Sequence, residues 1–345
     1  MVRRLWKDFQ GDIVAVPGRL IALIFFLGLT IFPLITSDSY LLRTLAFANI
    51  YAIFAVSWDL LSGYTGQINF GHALFFGVAA YTSALLNLKL GLPPWATIPI
   101  GALASVVAGL IVCLPALRLR GPYLSLVTLA FPLILLGIIF AFTDFTGGEL
   151  GVSGIARISE SRVTDFYISF AVMLVSVMIM WKLTDAKSAM VRTGVIFHAI
   201  REDEITARAS GINTIRYKML AFAVGGFFAG IAGAFHAHFI RIAGPADLDL
   251  FLSFQAIIWT VFGGITSIYG PVVGVFIMYP LLEFLRVLPE IRMMIFAVIV
   301  VVILLFMPEG IAVFIRDKLE QTCPRCKLSN VWWRKNCRAC GADLR

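Results

Sequence analysis

Charge is what this sequence has least of. Only 14% of its 345 residues are Asp, Glu, Lys or Arg, against 60% hydrophobic residues, and the mean hydropathy is +0.91. That balance excludes an ordinary soluble domain, in which about a quarter of the residues are charged. Cysteine is scarce as well: there are five, and all but Cys113 fall after residue 322. Cys113 lies in an apolar run and reads as a small core residue. No Gly-x-x-x-x-Gly-Lys-Ser/Thr loop occurs, so the chain lacks the usual means of holding nucleotide phosphates. No small-residue cleavage site follows the first apolar run, which therefore reads as a retained span and not a signal peptide. No clean internal repeat stands out.

What is present is a series of apolar runs, each long enough to cross hydrocarbon as a helix of roughly 20 residues. They predict an all-α polytopic membrane protein of about ten spans, near 20–36, 42–61, 72–89, 95–117, 122–143, 166–181, 219–240, 254–269, 271–286 and 292–308. Re-entrant pieces are expected at the second, eighth and ninth. The formal charge of +8 marks cytoplasmic loops in such a chain, so no nucleic acid is expected as a partner. With both termini inside, 21 of the 28 Lys and Arg residues fall in the inner segments 1–19, 62–71, 118–121, 182–218 and 309–345, the bias that inner loops carry.

Residues 62–72 (Ser-Gly-Tyr-Thr-Gly-Gln-Ile-Asn-Phe-Gly-His) interrupt this apolar pattern. Gly63, Gly66 and Gly71 weaken a helix, and the amides of Gln67 and Asn69 need partners. A broken backbone at membrane depth is tolerated only inside protein or beside a watery cavity, and in transporters such breaks border the pathway. A second break, Gly263-Gly264 to Gly270-Pro271, and a glycine-rich outer loop at 144–165 containing Gly147 and Gly148 complete the irregular segments. Small residues at spacing four (Gly101, Ser105, Gly109; Gly226, Gly230; Gly270, Gly274) let helices approach closely, and they read as packing and not as a site.

The long inner loop 182–218 carries a predicted helix over Ile196–Ala209, stopped by Gly211, with Glu204 and Arg208 at a favourable i, i+4 spacing. By composition it is either an interfacial connector or a knob gripped by a soluble partner. The tail carries Cys323-x-x-Cys326 and Cys337-x-x-Cys340, four thiolates suited to a tetrahedral zinc. In a reducing cytoplasm a metal is preferred over disulfides, and so short a module needs the metal to fold. Trp332, Trp333, Arg334, Lys335 and Arg338 between and beside the pairs suit anionic lipid or a partner subunit next to a membrane, although zinc ribbons also contact nucleic acid.

The stretch Ala199-Ile-Arg-Glu-Asp-Glu-Ile-Thr-Ala-Arg-Ala-Ser-Gly-Ile-Asn213, followed by Tyr217-Lys218, closely resembles the coupling loop of LivM-type permeases, membrane subunits of ATP-binding-cassette importers for branched-chain amino acids. Further matches follow in order: Gly63–His72 through Tyr81, Leu117–Gly121 with Tyr123, Thr146-Gly-Gly148, Gly263-Gly264 with Gly270-Pro271, and Phe306-Met-Pro-Glu-Gly310. Together they cover roughly residues 40–315.

The resemblance implies a transport subunit, not an enzyme, working with a second similar permease, two cytosolic ATP-binding subunits that bind the nucleotide, and an external solute-binding protein. It places the chain in a prokaryotic cytoplasmic membrane. It makes 1–19 a cytoplasmic N-terminal segment, 20–315 the permease domain and 316–345 a cytoplasmic zinc-ribbon-like tail outside the resemblance. It assigns Arg201, Glu202, Asp203, Glu204, Ala207, Arg208 and Gly211 to the ATPase contact. Asp59, Gly63, Tyr64, Gly66, Gln67, Asn69, Gly71, His72, Gly147, Gly148, Gly263 and Gly264 go to the translocation path, with His72 alternatively a cap of the following span.

Three positions depart from the family pattern. Asp59 stands where asparagine is usual, Phe131-Pro-Leu133 where a glycine and a glutamate are common, and Pro122 where an acidic or small residue is. These leave import of urea or short amides open as a rival. From another class, an ion-coupled carrier using Asp59 as its ion site is the rival, and so is a membrane anchor for the tail.

Overall fold

The computed structural model describes residues 17–36, 38–116, 122–185, 192–326, 329–331, 334–337 and 340–344. The N-terminal segment 1–16, the 117–121 motif, Trp332, Trp333 and Arg338 lie outside these residues.

All ten apolar runs are helical. They form α1 (Pro17–Ile35), α2 (Ser39–Trp58), α3 (Ala73–Leu90), α4 (Pro94–Ala116), α5 (Pro122–Ala141) and α6 (Arg162–Thr184), then α9 (Thr214–Ile240), α10 (Leu250–Gly263), α11 (Tyr269–Phe284) and α12 (Arg292–Phe306). Between α6 and α9 lie two short helices, α7 (Thr193–Glu202) and α8 (Glu204–Ala209), and α13 (Ile311–Leu319) follows α12. Among the described residues 8 helical segments are long and apolar enough to cross a membrane; the apolar part of α1, Ile24–Ile35, and α10 are shorter. The second run, expected to be re-entrant, is instead a full 25-residue segment from Ser39 to Gly63 and the most deeply buried of the eight. The ninth also reaches full length, and only the eighth, α10, is short.

Local chemistry places the helix ends. Asp38 accepts the Tyr40 N–H at 2.8 Å to start α2, and Asn213 and Asp249 cap α9 and α10 in the same way. Pro94 stands at the first turn of α4, where its missing N–H costs nothing. Gly91, at φ 64°, ends α3 in the left-handed conformation that favours glycine.

The helix α2 is the most deeply buried of the eight and packs against α6, α9, α10 and α11. On one side α3, α4 and α9 pack at backbone distance. Ser105 Oγ donates to the Gly226 carbonyl at 2.7 Å, and a Cβ on Gly230 would lie 2.1 Å from Ser105 Oγ and 2.9 Å from Ala102 Cα. The small-residue stripes are therefore packing surfaces, as their spacing indicated. On the other side Asn49 Nδ2 donates to Ser169 Oγ of α6 at 3.1 Å, and Thr260 Oγ1 of α10 donates to the Ala55 carbonyl at 3.2 Å. The faces of α5 and α12 stay bare and apolar, with Leu126, Ile134, Val298, Val301 and Leu305 exposed, as suits lipid or another membrane subunit.

The outer loop folds back on the bundle. Its strand β1 (Val152–Ser153) pairs antiparallel with β2 (Ile242–Ala243) beyond α9. His238 Nδ1 lies 2.8 Å from the Ala156 carbonyl, and Asn87 Oδ1 accepts the Ala156 N–H at 2.8 Å. In the tail, β3 (Glu320–Thr322) pairs antiparallel with β4 (Ser329–Val331) directly after α13.

The packing yields a paired test. A Cβ on Gly233 would meet the Phe76 carbonyl at 2.1 Å, whereas nothing lies within 4 Å of one on Gly137. Gly233→Ala is expected to cost roughly 1–3 kcal/mol by overpacking, and Gly137→Ala to be neutral or slightly stabilising. Denaturation of the purified protein in detergent measures both.

Candidate functional site

Two of the three irregular segments, 62–72 and 263–271, meet at one end of the bundle. Past Trp58, α2 widens into a π-turn over Asp59–Gly63, an arrangement that recurs at functional sites. It continues to Thr65 and stops at Gly66, whose φ of 71° only glycine adopts freely. The chain then climbs back beside α2 to enter α3.

Hydrogen bonds close almost every polar group in this break. The Trp58 indole donates to the Asn69 carbonyl at 2.7 Å, and Ser62 Oγ accepts the Asn69 N–H at 3.2 Å. Asn69 Oδ1 accepts the Gly71 N–H at 2.9 Å. Ser57 Oγ gives its proton to the Phe54 carbonyl, 2.7 Å away, so it must accept from His72 Nε2 at 2.9 Å. That assigns the imidazole proton to Nε2 and leaves Nδ1 to accept from Asn69 Nδ2 at 3.4 Å.

From α5, Thr128 Oγ1 accepts the Phe70 N–H at 3.1 Å. Pro132 has no N–H to offer the Thr128 carbonyl one turn back. That carbonyl faces Gly71, where a Cβ would lie 1.9 Å from it. The Ala73 N–H goes to Ser253 Oγ of α10 at 2.8 Å. His72 precedes α3 but makes no side-chain cap, so the capping alternative is set aside. Gln67, Asn69 and His72 are all buried. Gln67 Nε2 donates to Thr65 Oγ1 at 3.1 Å, while its Oε1 has no partner among the described residues. Gly66 and Ile68 are the exposed residues of the break.

Asp59 faces protein. Its Oδ1 accepts the Thr266 N–H at 2.8 Å, which ties α2 to the turn between α10 and α11. Gly63 is small for its sake, since a Cβ there would lie 1.9 Å from Asp59 Oδ1. In the turn, Thr266 has φ 61° and Gly264 φ 119°. The Gly263 Cα presses on the Gly270 carbonyl, and Gly310 on the Gly264 backbone. On the other flank, the Tyr64 ring packs edge-on against His198 of α7, with centroids 5.3 Å apart. Gly66 lies against Arg201, whose Cγ is 3.6 Å from where a Cβ would be.

The inner loop was expected to hold one helix over Ile196–Ala209. It holds two, because Asp203 adopts φ −154°, ψ 106° and caps α8, accepting from the Ile205 and Thr206 N–H groups at 2.8 and 3.1 Å. An aspartate offers the backbone this competing bond, and here it wins over helix continuation. Gly211, at φ 83°, ends the segment as expected.

Glu204 is bonded within the chain. It accepts from Lys218 Nζ at 2.7 Å, from Thr214 Oγ1 at 3.1 Å and from Arg208. Burial raises its pKa most, but these donors together outweigh it, leaving the carboxyl below its ordinary value. Ala207 is buried, while Arg201, Glu202, Asp203, Arg208 and Gly211 are exposed. Ile205 stands 68% exposed among them, a feature the charged residues around it hid from sequence reading.

In the tail, Cys323, Cys326, Cys337 and Cys340 bring their thiols within 4.8 Å of one another and could hold a metal ion. The closest pairs are Cys326–Cys337 at 3.4 Å and Cys323–Cys340 at 3.5 Å, far longer than a disulfide. Backbone N–H groups of Cys326, and then Arg325, lower the pKa of the Cys323 thiol and favour the thiolate a metal needs.

Residues 40–304 match the family described as branched-chain amino acid transport system / permease component. The chain belongs to this permease family. The permease is 28% identical over 295 residues to the high-affinity branched-chain amino acid transport system permease protein LivM of Salmonella typhimurium, spanning 79% of this chain and 69% of that one. LivM of Escherichia coli is also 28% identical, over 81% and 70% of the two chains. LivH of Escherichia coli is 24% identical over 76% of this chain and 90% of its own. The matched range stops before α13 and the cysteine cluster.

The candidate residues of the permease thus divide between two places. Asp59 to His72, Gly263 and Gly264 meet at the end that also carries α7 and α8. Gly147 and Gly148 lie beyond the far end of α5, turning at φ 76° and 57°. Sequence reading missed Ser57, Trp58, Thr128 and Ser253, which complete the break's bonding, because each sits singly inside an apolar run.

The sign of the Glu204 effect is testable. Its lowered pKa adds stability that is fully present above the unfolded value near 4.5 and is lost as the pH falls through the folded value. Glu204→Gln is expected to speed hydrogen exchange across 204–214 at neutral pH, with the difference from the native chain shrinking in acid.

Proposed function

We propose that this permease forms one half of the membrane path of an ATP-driven importer for branched-chain amino acids. A second, related permease supplies the other half, two cytosolic ATP-binding subunits dock beneath, and an external solute-binding protein delivers the substrate. Relatives named LivM and LivH are both similar to this one chain, which supports a pair of homologous permeases. The chain has no phosphate-binding loop of its own, so hydrolysis falls to the partners.

The observation that carries the reading is the exposed α7–α8 pair lying against the break. Ile205, Arg201, Glu202 and Arg208 form a small apolar centre with a charged rim, the anatomy of a docking knob. Behind it, Tyr64 and Gly66 touch α7, and Asp59 passes the contact on to the α10–α11 turn. Movement of the knob on ATP binding would thus reach the inner mouth of the path, where Gly66 and Ile68 are bare. Gln67, Asn69 and His72 hold that mouth from behind, and Gly147 and Gly148 shape the outer loop. The orientation follows from the basic inner segments, with both termini in the cytoplasm.

The tail binds zinc in this reading. Four thiols within 4.8 Å of one another are the donor set of a structural zinc site, and zinc would supply the folding energy that two short strands lack.

Reconstitution of the five-subunit assembly in liposomes tests the assignment. Leucine uptake that requires ATP and the binding protein is expected, and Ile205→Asp with Glu202→Lys should lower it roughly tenfold or more while membrane insertion stays intact. Uptake of urea in place of leucine, or uptake driven by an ion gradient without ATP, would refute it. For the tail, one zinc per full-length chain is expected by metal analysis, lost in Cys323→Ser/Cys326→Ser; zinc-free native protein after purification without chelator would count against it.

A further inference from the structure

The segment between α9 and α10 does not stay at the surface. After β2 it plunges along α3, so that the Leu248 side chain and the Asp247 carbonyl occupy the space a Cβ on Gly77 would need, at 2.3 and 3.2 Å. Gly77 lies thirteen residues before Leu90, the outer end of α3, which at 1.5 Å per residue is about 20 Å down the helix. A polar loop therefore reaches mid-depth, where irregular backbone is tolerated only beside protein or a cavity.

A cavity is there. It has a volume of about 180 Å³ and is lined by Tyr51, Phe76, His236, Asp247, Phe251 and Leu252, among others. At one pole sit two buried polar side chains: His236 Nδ1 lies 3.2 Å from Asp247 Oδ1, without the alignment a hydrogen bond needs. Tyr51 Oη lies 3.5 Å from His236 Nε2. The other Asp247 oxygen accepts the Gly244 N–H at 3.0 Å, which pins the carboxylate and leaves Oδ1 facing the imidazole and the cavity.

Aromatic rings surround this pole. Tyr51 stacks on Phe76 at 6.5 Å and packs against Trp259 at 5.2 Å and Tyr279 at 5.0 Å, while Phe76 and Phe47 lie 5.1 and 5.6 Å from the His236 ring. The Trp259 indole N–H is buried and has no partner among the described residues. The opposite wall, Phe251 and Leu252, is apolar. A carboxylate inside aromatic rings attracts an ammonium group by charge and by the ring faces together. The volume equals that of about six waters, room for a solute of about nine heavy atoms.

We infer that this mid-depth cavity is a substrate-binding site within the permease. It takes one free α-amino acid with a small apolar side chain, its ammonium group at Asp247 within the aromatic ring set and its side chain against Phe251 and Leu252. The inference rests on the importer reading above and adds to it a place where the substrate halts on the way through. The small volume disfavours peptides and sugars, and Phe251 and Leu252 disfavour urea. Asp249 also lines the cavity, but its side chain already caps α10, so the buried Asp247 carboxylate is the pole that favours a cationic group.

The test uses the complete reconstituted assembly and radiolabelled L-leucine. Leu252→Trp fills the cavity and Asp247→Asn removes the charge. Each is expected to lower leucine uptake about tenfold or more while ATP hydrolysis stimulated by the loaded binding protein persists. Tyr51→Phe, which keeps the ring and guards against misfolding of the other two, should raise the half-saturating leucine concentration for uptake and leave the maximal rate near native. Ala246→Cys, at the exposed rim, should take up maleimide beyond the native chain's own labelling, and leucine should protect it.

If the native assembly imports leucine but all three variants import it as the native does and leucine gives Ala246→Cys no protection, the cavity is not a substrate site and the importer reading stands. If Asp247→Asn lowers melting temperature, uptake and ATP hydrolysis in proportion, with no protection at position 246, the pair merely pins the loop and the inference fails. A native assembly that does not import leucine at all overturns both.

Discussion

The structure depends on satisfying backbone polar groups where a helix breaks inside an apolar bundle. Residues 66–72 leave the helical ladder in a place that water serves poorly. Every N–H and carbonyl there needs a partner, or several kcal/mol are lost for each. The partners come from α2 and its π-turn (Trp58, Ser62), from α5 (Thr128) and from α10 (Ser253). This requirement fixes how α2, α3, α5 and α10 meet. The interior glycines then follow, because partners can reach the broken backbone only where no Cβ intervenes, as at Gly71 against Thr128.

The same closure makes the end beside α7 and α8 a mechanical unit. Asp59 carries a bond from α2 to the α10–α11 turn, the turn presses on Gly310 at the start of α13, and Tyr64 and Gly66 rest on α7. Glu204 clamps α8 onto α9 through Lys218 and Thr214. A force on the exposed α7–α8 pair is therefore shared among four membrane helices at once. In the importer proposed above, such an arrangement lets a cytosolic event change the path without a change in any single helix. Asp59, which by composition was a candidate ion site, has one oxygen committed to this linkage and lies wholly within protein.

Polar chemistry within the bundle has a second centre, and it is of a different kind. At the end beside α7 and α8, side chains satisfy backbone groups. At mid-depth a carboxylate, an imidazole and a phenol face a small cavity ringed by aromatic groups. The first arrangement suits a fixed structural joint. The second keeps polar atoms only partly matched, which suits a transient guest. The cysteine cluster stands apart from both, outside the range matched to the family.

Run length and composition determined the class, the ten helical runs and the glycine stripes that pack α4 against α9, because burying apolar residues at helical spacing needs no knowledge of neighbours. The Cys-x-x-Cys pairs were legible for the same reason, their geometry being local. Only the tertiary structure decided that Gln67, Asn69 and His72 are buried, that Glu204 clamps α8 onto α9, and that Asp203 splits the helix expected over 196–209. Hydrogen-bond partners distant in sequence settle each of these. His236 and Asp247 show the limit most plainly. A histidine within the seventh apolar run and an aspartate just past its end were visible in the sequence, yet nothing local shows that the chain between them turns back into the bundle to bring them together.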